Sequence, residues 1–285
     1  MSDDLSISVI LPAAGQSRRF GQGKRSKLEV ELAGRAVLVR AVELFANRPE
    51  VNQILVAAPP DDLDAFKFRW ADKLGFFGVK IVPGGRAERW ETVARALGEV
   101  DATATHVAVH DAARPLTDAA AIDRVFAAAA RFDAVVPAVP VSSTLKRTEA
   151  SKADVTEEAD PLDAILGSAG KETVDAWPIV ETVRRDALWL AQTPQTFRRA
   201  VLEEAYARLG SGQIASDAVT DDAMLIEAMG RPVHVVEGDP LNVKITAPAD
   251  LQLAEAILSM GRGQPARDAL GPKRKFPTWA EADDE

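Results

Sequence analysis

The 285 residues contain no cysteine, only three histidines and a single tyrosine. Without thiols there is no disulfide framework, no thiolate nucleophile and no zinc site built on sulfur, which fits a reducing compartment. His106 and His110 bracket an apolar run at even spacing, so both face the same way, but no third ligand stands at metal-binding spacing and they read as structural. An excess of basic charge is also missing. Lysine and arginine number 34 against 43 acids, a net charge of −9, which disfavours general nucleic-acid binding while leaving room for a locally cationic anion site. No run approaches the length of a transmembrane helix, and the acidic start Met1-Ser2-Asp3-Asp4 is unlike a signal peptide. The expectation is a cytoplasmic protein with no membrane and no nucleic-acid partner.

Two nucleotide fingerprints are absent as well. Five residues separate Gly15 from Gly21 and Gln22 follows, so a P-loop fails on spacing; Gly15-Gln16-Ser17 fails the G-x-G-x-x-G pattern of dinucleotide sites. No Ser–His–Asp or Cys–His arrangement is present, and no internal repeat.

What is present is 47% hydrophobic residues, enough for a large core, arranged in alternating periods. Short apolar runs at residues 9–11, 54–58, 79–82, 106–110 and 134–139 read as buried strands. Helical spacing appears at residues 35–45, 61–74, 89–97 and 118–132. This alternation predicts an α/β fold, a mostly parallel twisted sheet with helices on both faces. Further on, helices are expected at residues 198–209, 221–229 with Thr220 as cap, and 250–260. Strands are expected at residues 233–236 and 242–245. Trp70, Trp90, Trp177 and Trp189 are expected in a core or an interface. A single domain over residues 6–260 is expected, with 261–285 a disordered tail.

In such sheets ligands sit at the carboxyl ends of strands. The first strand is followed by Ala13-Ala14-Gly15, where small residues let a ligand approach the backbone, then by Arg18, Arg19 and Lys27. The third is followed by Pro83-Gly84-Gly85 and Arg89-x-x-Thr92, and the fourth by Asp111-Ala112-Ala113-Arg114. Ser142-Ser143-Thr144 and Lys244 come later. Each has a plainer rival: Asp111 as a turn residue, Arg114 on the surface, Pro83-Gly84-Gly85 as a turn, Lys244 in solvent. Together, several cations, one carboxylate and several hydroxyls at one sheet edge suit a nucleoside triphosphate with magnesium.

Leu11-Pro12-Ala13-Ala14-Gly15-x-x-x-Arg19-Phe20-Gly21, with Lys27 and Leu32-Ala33-Gly34-Arg35, resembles the signature loop of sugar-phosphate nucleotidyltransferases. Further matches are His110-Asp111-Ala112-Ala113-Arg114-Pro115, Thr144-Leu145-Lys146-Arg147, Thr193-Pro194-Gln195, Thr220-Asp221-Asp222 and Asn242-Val243-Lys244-Ile245-Thr246. These narrow the resemblance to the 2-C-methyl-D-erythritol 4-phosphate cytidylyltransferase family. The resemblance implies a Rossmann-like nucleotidyltransferase fold with a protruding β-arm over residues 140–187, and a homodimer formed through that arm. It implies CTP and a polyol phosphate as substrates, with Mg2+ or another divalent cation as cofactor. By the same resemblance, Arg19, Lys27 and Lys244 are catalytic. The nucleotide meets Ala13, Ala14, Gly15, Gly84, Gly85, Arg89, Thr92 and Ala112. The acceptor meets Arg114, Thr144, Arg185 and Lys244, and Asp111 takes the metal.

The chain departs from the family pattern in three places. Ser17 stands where a second glycine is usual, residues 86–88 hold one residue more than usual, and the stretch between Thr144 and Arg185 is longer by over twenty residues. Residues 149–181 carry nine acids and two lysines, so they are expected as a solvated loop directed away from a phosphate site, with paired strands at residues 144–147 and 182–185. A cytidylyltransferase for another polyol phosphate, such as ribitol 5-phosphate, and a catalytically silent nucleotide-binding regulator are the alternative readings. A dehydrogenase is disfavoured by the missing dinucleotide fingerprint.

Overall fold

A computed structural model describes residues 5–15, 26–149 and 175–261. Arg18 and Arg19, most of the expected acidic loop, and residues 262–285 lie outside the described residues. Two compact units divide the chain: residues 1–139 with 191–285, and residues 140–190.

The first unit is built on parallel strands β1 (Ile7–Pro12), β4 (Val51–Ala58), β5 (Lys80–Pro83) and β6 (His106–Val109). β1 pairs in parallel with β4 and β6, and β4 with β5. Their residues alternate between two cores, as a strand buried on both faces must. Ile7, Val9 and Leu11 enter one core with Ile54 and Val56, whereas Ile10, Leu55 and Ala57 enter the other. Helices α1 (Val37–Ala46), α2 (Leu63–Gly75) and α4 (Ala119–Ala129) cover the first face, and α3 (Arg89–Leu97) lies on the second. Between β1 and α1, the short hairpin of β2 (Glu31–Leu32) and β3 (Arg35–Ala36) turns at Ala33 and Gly34, with φ of +48° and +75°. That twin left-handed geometry matches the twist of a tight hairpin and explains the glycine.

β7 (Ala134–Pro140) leads into the second unit. On return, β11 (Gln195–Arg198) inserts antiparallel between β6 and β7, and β12 (His234–Glu237) runs parallel to β7. The resulting order is β7-β11-β6-β1-β4-β5. Helices α5 (Arg199–Gly210) and α6 (Asp222–Ala228) complete the second face, and α7 (Pro248–Ser259) joins the first.

The expected α/β sheet, mostly parallel with helices on both faces, is the fold observed. Two local expectations are corrected, the strand at residues 242–245 and the cap at Thr220. Residues 242–245 form no strand; Asn242 is instead fixed by its side chain, and Ile245 N donates to the carbonyl of Ala113 at 2.8 Å. Gln195–Arg198 is a strand the sequence reading did not find, because four residues lacking an apolar run carry little period. The cap of α6 is Asp221, which accepts from Met224 N at 3.0 Å, and not Thr220. Of the tryptophans expected in a core or an interface, Trp70 is buried in the core, and Trp177 and Trp189 are 46% and 45% exposed in this single chain.

The second unit holds the antiparallel hairpin of β8 (Leu145–Thr148) and β9 (Ile179–Val183), in register Leu145 to Val183. These are the two segments expected to pair, displaced by a few residues. Lys146 donates to Thr182 and Arg147 to Glu181, each at 2.6 Å. Ahead of β10 (Trp189–Ala191), the carbonyl of Leu188 accepts from Val141 N, upstream of β8.

Candidate active site

The carboxyl ends of β1, β5 and β6 open on a cavity of about 580 Å³ in the first unit. Beyond β1, Ala13 N donates to the carbonyl of Ala57, and beyond β5, Gly84 N donates to the carbonyl of Ala58. Both loops are thereby tied to β4. A Cβ on Gly84 would lie 2.9 Å from Ala14 Cβ and 2.9 Å from Thr92 Cγ2. On Gly85 it would lie 2.4 Å from Glu91 Cβ. Only glycines allow this close approach of loop, loop and helix, and Gly85 N is then free to donate to Thr92 Oγ1 at 3.1 Å. Small side chains and backbone therefore form one wall. Among the described residues, the charged wall holds four cations, Lys27, Arg86, Arg89 and Lys244, against two acids, Glu88 and Asp111. That balance favours an anionic ligand in a protein that is acidic overall.

Asp111 is the centre of the charged wall. Its Oδ1 accepts from Arg89 Nε at 3.3 Å, and its Oδ2 from Lys244 Nζ at 2.9 Å and Arg114 Nε at 3.4 Å. Burial pushes its pKa up, but Arg89, Lys244 and Arg114 outweigh burial and hold the carboxyl well below the usual range. For Arg89, burial works against the charged form, and Asp222 and Asp111 more than compensate, so its pKa is raised. Lys27 donates to the carbonyl of Ile245 at 3.1 Å, which places it beside the segment that carries Lys244. Arg86 is drawn to Asp61, with Nη2 to Oδ1 at 2.7 Å.

The backbone of Asp111 is fixed by a chain of hydrogen bonds whose proton positions follow from chemistry. A carbonyl only accepts, so His110 Nε2 carries the proton donated to Arg114 O at 3.0 Å. Burial lowers His110 to about 4, so the ring is neutral and its Nδ1 accepts from Thr193 Oγ1 at 3.1 Å. Thr193 Oγ1 in turn accepts from Asp111 N at 3.1 Å. Asn242 secures the other side: its Nδ2 donates to Thr193 O at 3.1 Å, its Oδ1 accepts from Thr117, and its carbonyl accepts from Arg114 Nη1 at 2.7 Å.

The structure thus brings Ala13, Ala14, Gly15 and Ala112 to the cavity together with Gly85 and Thr92. Lys27, Arg89, Asp111 and Lys244 line it too. Gly84 packs behind Ala14 and Thr92, and Arg114 reaches it through Asp111. Arg19 lies outside the described residues. Thr144 and Arg185 belong to the second unit, where Arg185 donates to the carbonyl of Ser142. Sequence reasoning assigned no role to Arg86, Glu88 or Thr246, which also line the cavity, nor to Tyr206. Among the described residues no three His, Asp or Glu side chains cluster as a ready metal site, and no helix is long and apolar enough to cross a membrane.

This arrangement matches known proteins over most of its length. The family model for 2-C-methyl-D-erythritol 4-phosphate cytidylyltransferase matches residues 7–169 and 163–260, two stretches that meet inside the lengthened segment. The enzyme of that name from Frankia casuarinae is 42% identical, over 92% of this chain and 84% of the relative. That from Rhodopirellula baltica is 38% identical, over 91% and 97%. The crystal structure of the Thermus thermophilus enzyme superposes with a TM-score of 0.65 at 32% identity, covering 88% of this chain and 98% of that one. A match in sequence that spans both the cavity loops and the arm, together with the same fold, places the chain in the 2-C-methyl-D-erythritol 4-phosphate cytidylyltransferase family.

Proposed function

We propose that this chain transfers the cytidylyl group of CTP to 2-C-methyl-D-erythritol 4-phosphate, in isoprenoid biosynthesis. The observation that carries this reading is the cation-rich cavity at the strand ends, centred on Asp111 with Lys244, Arg89 and Arg114. A phosphate oxygen of the acceptor attacks the α-phosphorus in line; the new P–O bond forms as the bond to the β-phosphate oxygen breaks, and pyrophosphate leaves with the bonding electrons. The attacking phosphate is already ionised at neutral pH, so no protein nucleophile is needed, and the chain's work is positioning and charge neutralisation.

In this reading the nucleotide lies along Ala13, Ala14 and Gly15, with its other side on Gly84, Gly85, Thr92 and Ala112. Arg89 reaches it from the charged wall. Lys27, Arg19 and Lys244 neutralise the charge that gathers on the phosphates in the transition state. Asp111, a carboxylate held ionised on the cavity wall, fits a divalent cation such as Mg2+, which takes one or two carboxylates and draws its remaining ligands from phosphate and water. When bound, that cation supplies charge to the α-phosphate and the leaving group. Lys244 and Arg114, now paired with Asp111, are placed to turn to the acceptor phosphate. Thr144 and Arg185 of the arm complete the acceptor site across a homodimer, the role the exposed Ile179, Val180 and Leu190 of this unit support.

The test is pyrophosphate release by the full chain with CTP, ATP and GTP against methylerythritol phosphate and ribitol 5-phosphate, with and without a chelator. Preference for CTP with the methylerythritol acceptor, lost in chelator, is expected. Equal turnover of the three triphosphates, or full activity in chelator, refutes the reading.

A further inference from the structure

We propose that Asp222, backed by Tyr206, is the positioning residue that aims Arg89 into the nucleotide cavity. The proposal rests on reading that cavity as the CTP site. Asp222 is 1% exposed and opens α6. Both its oxygens are committed: Oδ1 accepts from Tyr206 Oη at 2.5 Å and Oδ2 from Arg89 Nη1 at 2.7 Å. On the other edge, Arg89 Nε donates to Asp111 Oδ1 at 3.3 Å. Two carboxylates from separate elements therefore fix two edges of one guanidinium. Among the described residues Nη2 makes no hydrogen bond, and the side chain lines the cavity. Lysine could not be held this way, because only the planar fork presents separate edges.

The plainer explanation is that an acid at the start of a helix caps it or meets its dipole. Capping is already done by Asp221, whose Oδ1 accepts from Met224 N, and whose Oδ2 accepts from Gln195 Nε2 at 2.7 Å. A dipole partner can stay in solvent, whereas Asp222 is buried and aimed at Arg89, an arrangement that is costly unless the pairing is needed. The position is also rigid. Gln195 Oε1 accepts from Ala223 N at 3.1 Å, so β11 grips the first turn of α6 from both sides of Asp222.

Steady-state pyrophosphate release by the full chain tests this with Asp222→Asn, Tyr206→Phe, Arg89→Ala and the Asp222→Asn/Arg89→Ala double variant. Losing a hydrogen bond to a charged group is expected to raise the CTP KM about ten- to a hundredfold in Asp222→Asn, with the acceptor KM unchanged. In the Arg89→Ala background the same change is expected to add nothing, since Asp222 acts through Arg89. Additive losses, or both KM values rising together, overturn the proposal. Should Asp222→Asn show no cooperative melt, Tyr206→Phe decides: it keeps the ring and is expected to raise the CTP KM alone, and an unchanged CTP KM overturns the proposal. A wild-type chain that releases no pyrophosphate from CTP overturns the functional reading instead, and calorimetric CTP affinity then ranks the same four variants by the same criteria.

Discussion

Lys27 donates to the carbonyl of a residue more than two hundred positions away, and Lys244, next to that residue, pairs with Asp111. The two ammonium groups thus stand on one side of the cavity because a backbone segment without secondary structure holds them there. For Lys27→Ala we expect kcat to fall by about a hundredfold or more, the scale of losing one preorganised charge contact. CTP affinity should change far less, because the contact matters most once charge has moved onto the leaving phosphates. Rapid-quench turnover beside equilibrium binding measures both; a collapse of binding at unchanged kcat would assign Lys27 to the ground state. Arg19→Ala carries the same expectation from the family resemblance. At this scale the sequence was informative about residue type and poor about partners. Asp111 was legible as a polar residue ending a strand. That three cations from α3, the following turn and residue 244 meet its carboxylate was not, since none of those separations leaves a local pattern.

Elements divide into those with period and those without. α3 was legible to the residue, because apolar positions at Val93, Ala96 and Leu97 leave one stripe between charged neighbours. β11 was not, although it lies between β6 and β7, because its four residues mix Gln, Thr, Phe and Arg. The arm hairpin was legible in outline from β-branched residues at its two ends, and its register follows from the pairing of Leu145 with Val183. Arg185 follows this hairpin, and we expect Arg185→Ala to raise the acceptor KM while sparing the CTP KM. Steady-state kinetics with each substrate varied in turn provides the check. Light scattering of the wild-type chain tests the dimer on which that role depends: a monomer with full activity would remove Arg185 from the acceptor site.

For the whole molecule, buried titrating groups link the site to stability. Burial lowers His110 to about 4, whereas an unfolded chain takes up its proton near 6.5. Between those values the unfolded state binds the extra proton, so stability falls as pH drops through the window, by up to about 3 kcal/mol. His106, lowered first by burial and then by Arg198, works in the same direction. Asp111 has its pKa depressed, so its contribution is present above the ordinary carboxylate range and is lost only at lower pH. Urea midpoints at pH 7 and pH 5 are expected to show this loss, and His110→Gln to reduce it; a midpoint that does not move between these pH values would contradict the neutral, Nε2-protonated ring. The sequence by itself determined the alternation of strand and helix, the parallel sheet, and the loops that carry small residues and cations at strand ends. Those features follow from local period and from the backbone freedom of glycine. Only the tertiary structure decided which charges share a carboxylate, that Thr193 and His110 fix the backbone of Asp111, and that Asp222 stands behind Arg89. Such pairings join residues up to 133 positions apart, and their strength comes from burial that no single segment of the chain possesses before it folds.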